Sequence, residues 1–316
     1  MKQRPFQQVD VFTKKPYFGN PLAVVMDCGD LSTAQMQLFA QWTNLSETAF
    51  LLPPSELGLA AGAHYQVRIF TPKVELPFAG HPTLGCCHAW IEEQRSSLGS
   101  SFTQPAEIIQ ECARGIVKIK HIEGRWSFAA PSLAQSTPDN KDIADVLNAL
   151  DLLKTDVIDS QWLDNGPRWF TLWLTHPDVV LGIKPNHNLL SDLKIKVGVA
   201  SAYPLTNHKL ISRSNREARA FNAPSQRHSF DGSLMQHIEV RAFAAALGIP
   251  EDPVTGSLNA SIAQWLIPKG TLSTTYIAHQ GSRIYRDGLI FLSADAQSQV
   301  WVGGDSVTCI RGSVFI

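Results

Sequence analysis

Residues 68–85 read RIFTPKVELPFAGHPTLG, and residues 238–267 read IEVRAFAAALGIPEDPVTGSLNASIAQWLI. Each stretch opens as a strand carrying Arg-x-Phe (Arg68 and Phe70; Arg241 and Phe243), passes through a Pro-bearing loop, and enters a helix through small residues. The helices run on to Trp90 and Trp265, and the loops hold His81-Pro82 and Asp252-Pro253. A strand-loop-helix unit that recurs with a polar residue at the same place implies two half-domains facing one another, with one site in the cleft between them. Tryptophan in helices and proline in loops are common enough that ordinary composition also accounts for the match.

Upstream, VDVF at 9–12 and PLAVV at 21–25 are strand-like, separated by KKPYFGN with the turn formers Pro16, Gly19 and Asn20. Leu31, Ala34, Leu38, Phe39 and Trp42 form a helical stripe, with Ser32 and Gln35 as a capping box and an end at Asn44. LSETAFLLP then places Glu47 between that helix and a strand. Residues 65–70 alternate as a strand, TPKVELPFAGHPT is expected to be irregular, and helical spacing resumes at LGCCHAWIEEQ. Downstream, 108–131 reads as two or three short strands, DIADVLNAL as an amphipathic helix, and 169–174 and 195–200 as strands. The polar run HKLISRSNREARAFNAPSQRHSFDGS is expected to be a surface loop or insertion, and GGDSVTCIRGS a final strand pair.

The chain has 316 residues, 44% hydrophobic and 17% charged, with 27 Lys+Arg against 28 Asp+Glu. That length suits two domains, and the balanced charge disfavours both disorder and nucleic-acid binding. Five cysteines, with Cys86 and Cys87 adjacent, do not form a secreted disulfide framework, so a reducing compartment is expected. MKQRPFQQVDVF lacks the apolar segment of a signal peptide, and no apolar run approaches the ~18 residues of a membrane span. A soluble, cytoplasmic α/β protein with no membrane partner is the expectation.

The loops AGHPT (79–83) and DPVTGS (252–257) each place glycine and a hydroxyl residue before a helix, where free backbone N–H groups and the positive dipole end attract an anion. Gly80, Pro82 and Thr83, with Thr255, Gly256 and Ser257, are therefore candidate carboxylate-binding residues; ordinary helix caps give the same pattern. Glu47, among Leu45, Ala49 and Phe50, becomes a proton acceptor and donor if partial burial raises its pKa, and is otherwise a solvated loop glutamate. His81 and Asp252 are open in the same way. No GxGxxG, GxxxxGK[ST], HExxH, GxSxG or CxxC occurs, and the ten histidines lack metal-ligand spacing, so neither metal nor nucleotide cofactor is expected. At least one of Cys86 and Cys87 should be buried in the helix.

VDVFT, FGNPLAVV, NLSETAF, RIFTPKVELPFAGHPTLG and GIPEDPVTGS, in that order and at these separations, resemble the PhzF-like (phenazine biosynthesis) proteins, relatives of diaminopimelate epimerase. The resemblance runs from residue 9 to about 90 and from about 238 to 316, with DNGPRWFTLWL matching between. It implies an α+β, diaminopimelate epimerase-like fold, in which two similar domains each wrap a curved, mostly antiparallel sheet around a central helix. Residues 1–125 with 303–316 would form one domain and 126–302 the other. It further implies a homodimer and a cofactor-independent isomerase acting by proton transfer on a small carboxylated substrate of the dihydro-hydroxyanthranilate kind. Glu47 would be the acid/base residue, His81 and Asp252 its catalytic partners with Ser257 beside them, and Gly80 and Gly256 amide donors to the substrate. The epimerases' catalytic cysteines are missing from the matching loops, which disfavours a two-thiol mechanism. Tyr285 stands where a glycine is expected before Arg286, so Arg286 is expected to be displaced, and an insertion at 203–236 is expected near the cleft. A non-catalytic small-molecule-binding protein on the same scaffold is the alternative.

Overall fold

The protein is described here by a computed structural model covering residues 1–204 and 235–316. The stretch 205–234, which holds almost all of the expected insertion, lies outside the described residues. Along the first half, hydrogen-bonded strands follow in the spatial order Ser306–Phe315, Gln3–Val11, Asn20–Val25, Glu47–Leu52, Tyr65–Phe70, Glu107–Cys112, Gly115–Ile122 and Arg125–Ala129. Along the second, the order is Ala134–Ser136, Val157–Asp164, Arg168–Leu174, Lys196–Ala202, Gln236–Phe243, Thr275–Gln280, Gly288–Ala294 and Val300–Gly303. Both runs have the same succession of pairings: antiparallel, antiparallel, parallel, antiparallel, parallel, antiparallel, antiparallel. They join where Arg125–Ala129 pairs antiparallel with Val300–Gly303.

The repeat extends to side chains. Arg68 donates through Nε and Nη2 to the two carboxylate oxygens of Glu75, both at 2.7 Å. Arg241 does the same to Glu251, at 2.9 and 2.8 Å. Each guanidinium also lies over the phenylalanine two residues on, 5.2 Å from Phe70 and 5.0 Å from Phe243. The bidentate fork fixes each loop back onto the strand that precedes it.

Each run curves around one helix. Gly80–Leu98 packs against the strands at 3–11, 20–25, 47–52, 125–129 and 306–315. Every residue from Gly80 to Cys87 is buried, as expected for a helix enclosed on all sides rather than amphipathic. Both Cys86 and Cys87 are fully buried, and burial pushes their thiols up. Gly256–Leu266 is the counterpart, with only Ser257 and Gln264 of its 11 residues outside the buried class. Leu84, Cys86 and Ala89 of one helix and Leu258, Ile262 and Trp265 of the other belong to one continuous core.

Several local expectations change. The helix Thr33–Thr43 carries the capping box between Ser32 and Gln35 and ends on left-handed Asn44, but it buries Met36 and Ala40 rather than the apolar stripe. Leu38 and Trp42 are 67% and 78% exposed, because Phe39 packs on Phe50 at 6.1 Å and thereby sets which face turns inward. The first central helix begins at Gly80, so His81, Pro82 and Thr83 lie in its opening turn rather than in an irregular loop, where proline's missing N–H costs nothing. The same loop also contains a short strand, Glu75–Leu76. The C-terminal stretch forms two strands that do not pair with each other. Val300–Gly303 closes the second run and Ser306–Phe315 crosses to Gln3–Val11. Among the described residues, no helix is long and apolar enough to cross a membrane.

Candidate active site

The two central helices meet at their N-termini. A Cβ placed on Gly256 would lie 3.6 Å from the Gly80 Cα, and one on Gly80 would come within 2.7 Å of the Phe128 ring. Only glycine at position 80 allows this approach, with Phe128 itself locked edge-on against Phe78 at 5.8 Å. Two positive dipole ends and their free N–H groups therefore converge at one place.

Three acid/base groups collect there. Glu47 is the first residue of the strand Glu47–Leu52, held in parallel register beside Leu22. Its Oε2 lies 3.6 Å from Nε2 of His81, the second residue of the helix Gly80–Leu98. The Glu47 side chain keeps 17% exposure and the His81 side chain 7%, so the pair is nearly enclosed, with the carboxylate the more exposed of the two. Burial raises the Glu47 pKa, and a hydrogen bond from the Ser46 side chain and the charge of Lys196 act against it. Burial pushes His81 down to about 4, against the charge of Asp252 and a hydrogen bond to the Pro21 carbonyl. The imidazole is thus neutral near pH 7, and its Nε2 is buried with no hydrogen-bond partner.

Asp252 comes from the other half, on the loop leading into the helix Gly256–Leu266. Its Oδ1 accepts from the Asn20 amide at 3.2 Å and its Oδ2 from the Thr255 hydroxyl at 2.6 Å. Burial and the Glu47 charge nevertheless push it up to about 6. Gln280 donates to the Asp252 carbonyl at 3.0 Å and to Thr255 Oγ1 at 2.9 Å, and accepts from the Thr255 N–H at 3.0 Å. The loop that carries Asp252 is therefore held from both sides.

The remaining expected residues are placed as follows. Pro82 is buried, and the Thr83 hydroxyl donates to the Ala79 carbonyl at 2.9 Å and accepts from Gln110 at 3.1 Å. Ser257 Oγ accepts from the Trp169 indole at 3.2 Å. The side chains of Thr83 and Thr255 are thus engaged within the protein, and the backbone N–H groups of the helix starts are what the cradle offers an anion. Tyr285 adopts the left-handed conformation that a glycine would (φ 60°), and Arg286 donates to the Tyr17 carbonyl at 2.7 Å. The tyrosine is therefore accommodated by strain at one residue. No group of three or more His, Cys, Asp or Glu side chains among the described residues is arranged to hold a metal ion.

Sequence reasoning missed Asn20, Gln280, Trp169 and Lys196. Asn20 reads as a turn former but is buried at the start of the strand Asn20–Val25, donating to Asp252 and to the Val254 carbonyl at 2.9 Å. Its place inside FGNPLAVV, and that of Trp169 inside DNGPRWFTLWL, were the available signals. Lys196 and Gln280 carried none.

Residues 9–312 match the family of phenazine biosynthesis-like proteins, PhzC-PhzF. Antisense-enhancing sequence 1 of Schizosaccharomyces pombe is 32% identical over the full length of both chains. A trans-2,3-dihydro-3-hydroxyanthranilate isomerase of Pseudomonas fluorescens is 30% identical over 98% of each. Among solved structures, a PhzF-family phenazine biosynthesis protein of Bacillus anthracis covers all of both chains with a TM-score of 0.74 at 22% identity, a likeness of fold. The α+β, diaminopimelate epimerase-like architecture expected from the sequence is the architecture found.

Proposed function

Because the chain belongs to the phenazine biosynthesis-like (PhzC-PhzF) family and is an isomerase, we propose that it moves a proton on a small carboxylated substrate, with Glu47 as the group that takes and returns it. The observation that carries this reading is the Glu47–His81 contact at 3.6 Å, enclosed where two helix N-termini and Asp252 meet. Removing a proton from carbon is slow unless the base lies within ~3 Å of the C–H and the developing charge is stabilised. Glu47, raised in pKa by burial, is in its ionised form a stronger base than an ordinary carboxylate.

His81 is neutral with one nitrogen held at Pro21, so its Nε2 is free to accept a hydrogen bond from the substrate or from protonated Glu47. Asp252, pushed up to about 6 by burial and the Glu47 charge, holds a substrate amine or relays a second proton. The N–H groups at Gly80 and Gly256 bind the substrate carboxylate. One C–H bond breaks and another forms, so no cofactor is called for and the composition of the substrate is unchanged. General acid/base catalysis of this kind supplies roughly 10² to 10⁴ in rate, with positioning and electrostatics supplying the rest.

The substrate proposed is a dihydro-hydroxyanthranilate-like compound, the class in the Pseudomonas relative's name. A two-unit division (1–125 with 303–316, and 126–302), a homodimer and a cytoplasmic setting belong to the same proposal. The pairing of the strand Arg125–Ala129 with a strand of each run supports a division near it. The test is direct incubation of the purified protein with trans-2,3-dihydro-3-hydroxyanthranilate, following its conversion by absorbance and mass. An isomer of unchanged mass supports this substrate class; failure to turn it over removes it.

A further inference from the structure

Lys196 begins the strand Lys196–Ala202, in parallel register beside Trp169. Its ammonium lies 5.6 Å from the centre of the Trp169 ring, whose indole N–H holds Ser257 in the first turn of the second central helix. A half-buried lysine stem is thus laid along an aromatic face that ends at one of the two anion-attracting helix starts. The Lys196 charge is felt by both Glu47 and Asp252, yet its ammonium forms neither ion pair nor side-chain hydrogen bond with any described residue. Its three donors are therefore uncommitted among the described residues, and its ammonium stands beside the Trp169 ring.

A carboxylated substrate entering this site would add a negative charge beside two carboxylates. Like charges a few ångströms apart in a partly buried site repel more strongly than they do in open water. Each helix N-terminus offsets only about half a unit of charge. A full positive charge with free donors is what the arrangement still requires, and Lys196 is a cation whose charge acts on both Glu47 and Asp252.

We propose that Lys196 is the cationic anchor for the substrate's carboxylate and makes the cleft selective for anionic substrates. This rests on the isomerase reading of the site and names the residue that sets its substrate charge. Anthranilate and its uncharged amide, anthranilamide, are the probes, with binding measured by calorimetry on the full chain. The wild type is expected to bind anthranilate at least about tenfold more tightly than anthranilamide. Lys196→Met, which keeps a stem over Trp169, should abolish that preference while leaving anthranilamide binding unchanged, and Lys196→Arg should retain it. A preference that survives in Lys196→Met, or a wild type with no preference, overturns the proposal. The isomerase reading fails separately, through proton exchange that persists without the Glu47 carboxylate.

Discussion

The side-chain amide of Asn20 donates to Asp252 Oδ1 at 3.2 Å, joining two residues 232 positions apart in the chain. The same nitrogen donates to the Val254 carbonyl at 2.9 Å, and its oxygen accepts from Ser46 at 3.4 Å. Asn20 thus ties the segment before Glu47 to the loop that carries Asp252. Asn20→Ala leaves buried groups without partners and should cost about 1–3 kcal/mol of stability. Because the Asn20 hydrogen bond holds the Asp252 pKa down, its loss should also raise that pKa. Thermal melts and the pH dependence of turnover together check both effects; an unchanged pH profile would detach Asn20 from the acid/base set.

The pH dependence has a definite sign. A base must be ionised to accept a proton, and Glu47 and Asp252 are both raised by burial, Asp252 to about 6. kcat/KM should therefore rise with pH along an acid limb above the ordinary carboxylate range, as a property of the coupled pair rather than of either residue. His81, at about 4, stays neutral across that limb. A limb in the ordinary carboxylate range, or activity that falls as pH rises through this window, would contradict the assignment.

Two glycines at the helix junction should respond differently to alanine. At Gly80 the added methyl meets the Phe128 ring at 2.7 Å, and that ring is fully packed, so Gly80→Ala should destabilise by about 1–3 kcal/mol. At Gly256 the nearest atoms lie at 3.5 and 3.6 Å, ordinary contact, and the change should cost less than about 1 kcal/mol. Chemical denaturation of the two variants gives the ranking; equal losses would mean that the approach to Phe128 is not what position 80 requires.

The duplicated Arg–Glu forks differ in burial. Arg241 and Glu251 are 4% and 6% exposed, whereas Arg68 and Glu75 are 24% and 32% exposed. Removing one partner of a buried pair leaves an uncompensated charge, so Glu251→Gln should cost about 3–5 kcal/mol. Glu75→Gln should cost no more than about 1 kcal/mol. Since Glu251 precedes Asp252, its loss should depress turnover as well, and calorimetric melts beside an activity assay separate the two effects.

Much of this was legible in the chain because it is local. Arg-x-Phe followed by a Pro-bearing loop marks both strand-loop-helix units, and Ser46-Glu47 lies where the helix ending at Asn44 hands over to a strand. The exposure of Leu38 and Trp42 is not legible in the apolar stripe, because aromatic packing of Phe39 on Phe50, not the count of apolar positions, sets the helix's rotation. Helix starts at Gly80 and Gly256 are fixed by tertiary approach, which local spacing does not carry. Asn20, Gln280 and Lys196 reach the site through strand pairings between distant segments, which hydropathy does not encode. The second run repeats the strand order of the first even where the family resemblance is weakest, since its pattern of pairings rather than its residues is what recurs.

The central claim is that the Glu47 carboxylate carries the proton. The decisive measurement is incorporation of solvent deuterium into trans-2,3-dihydro-3-hydroxyanthranilate or its isomer in D₂O, followed by mass spectrometry for the wild type and for Glu47→Gln. The wild type should place deuterium on carbon, and the variant, folded as judged by circular dichroism, should do so at least about 10²-fold more slowly. Exchange at the wild-type rate in Glu47→Gln would contradict the account.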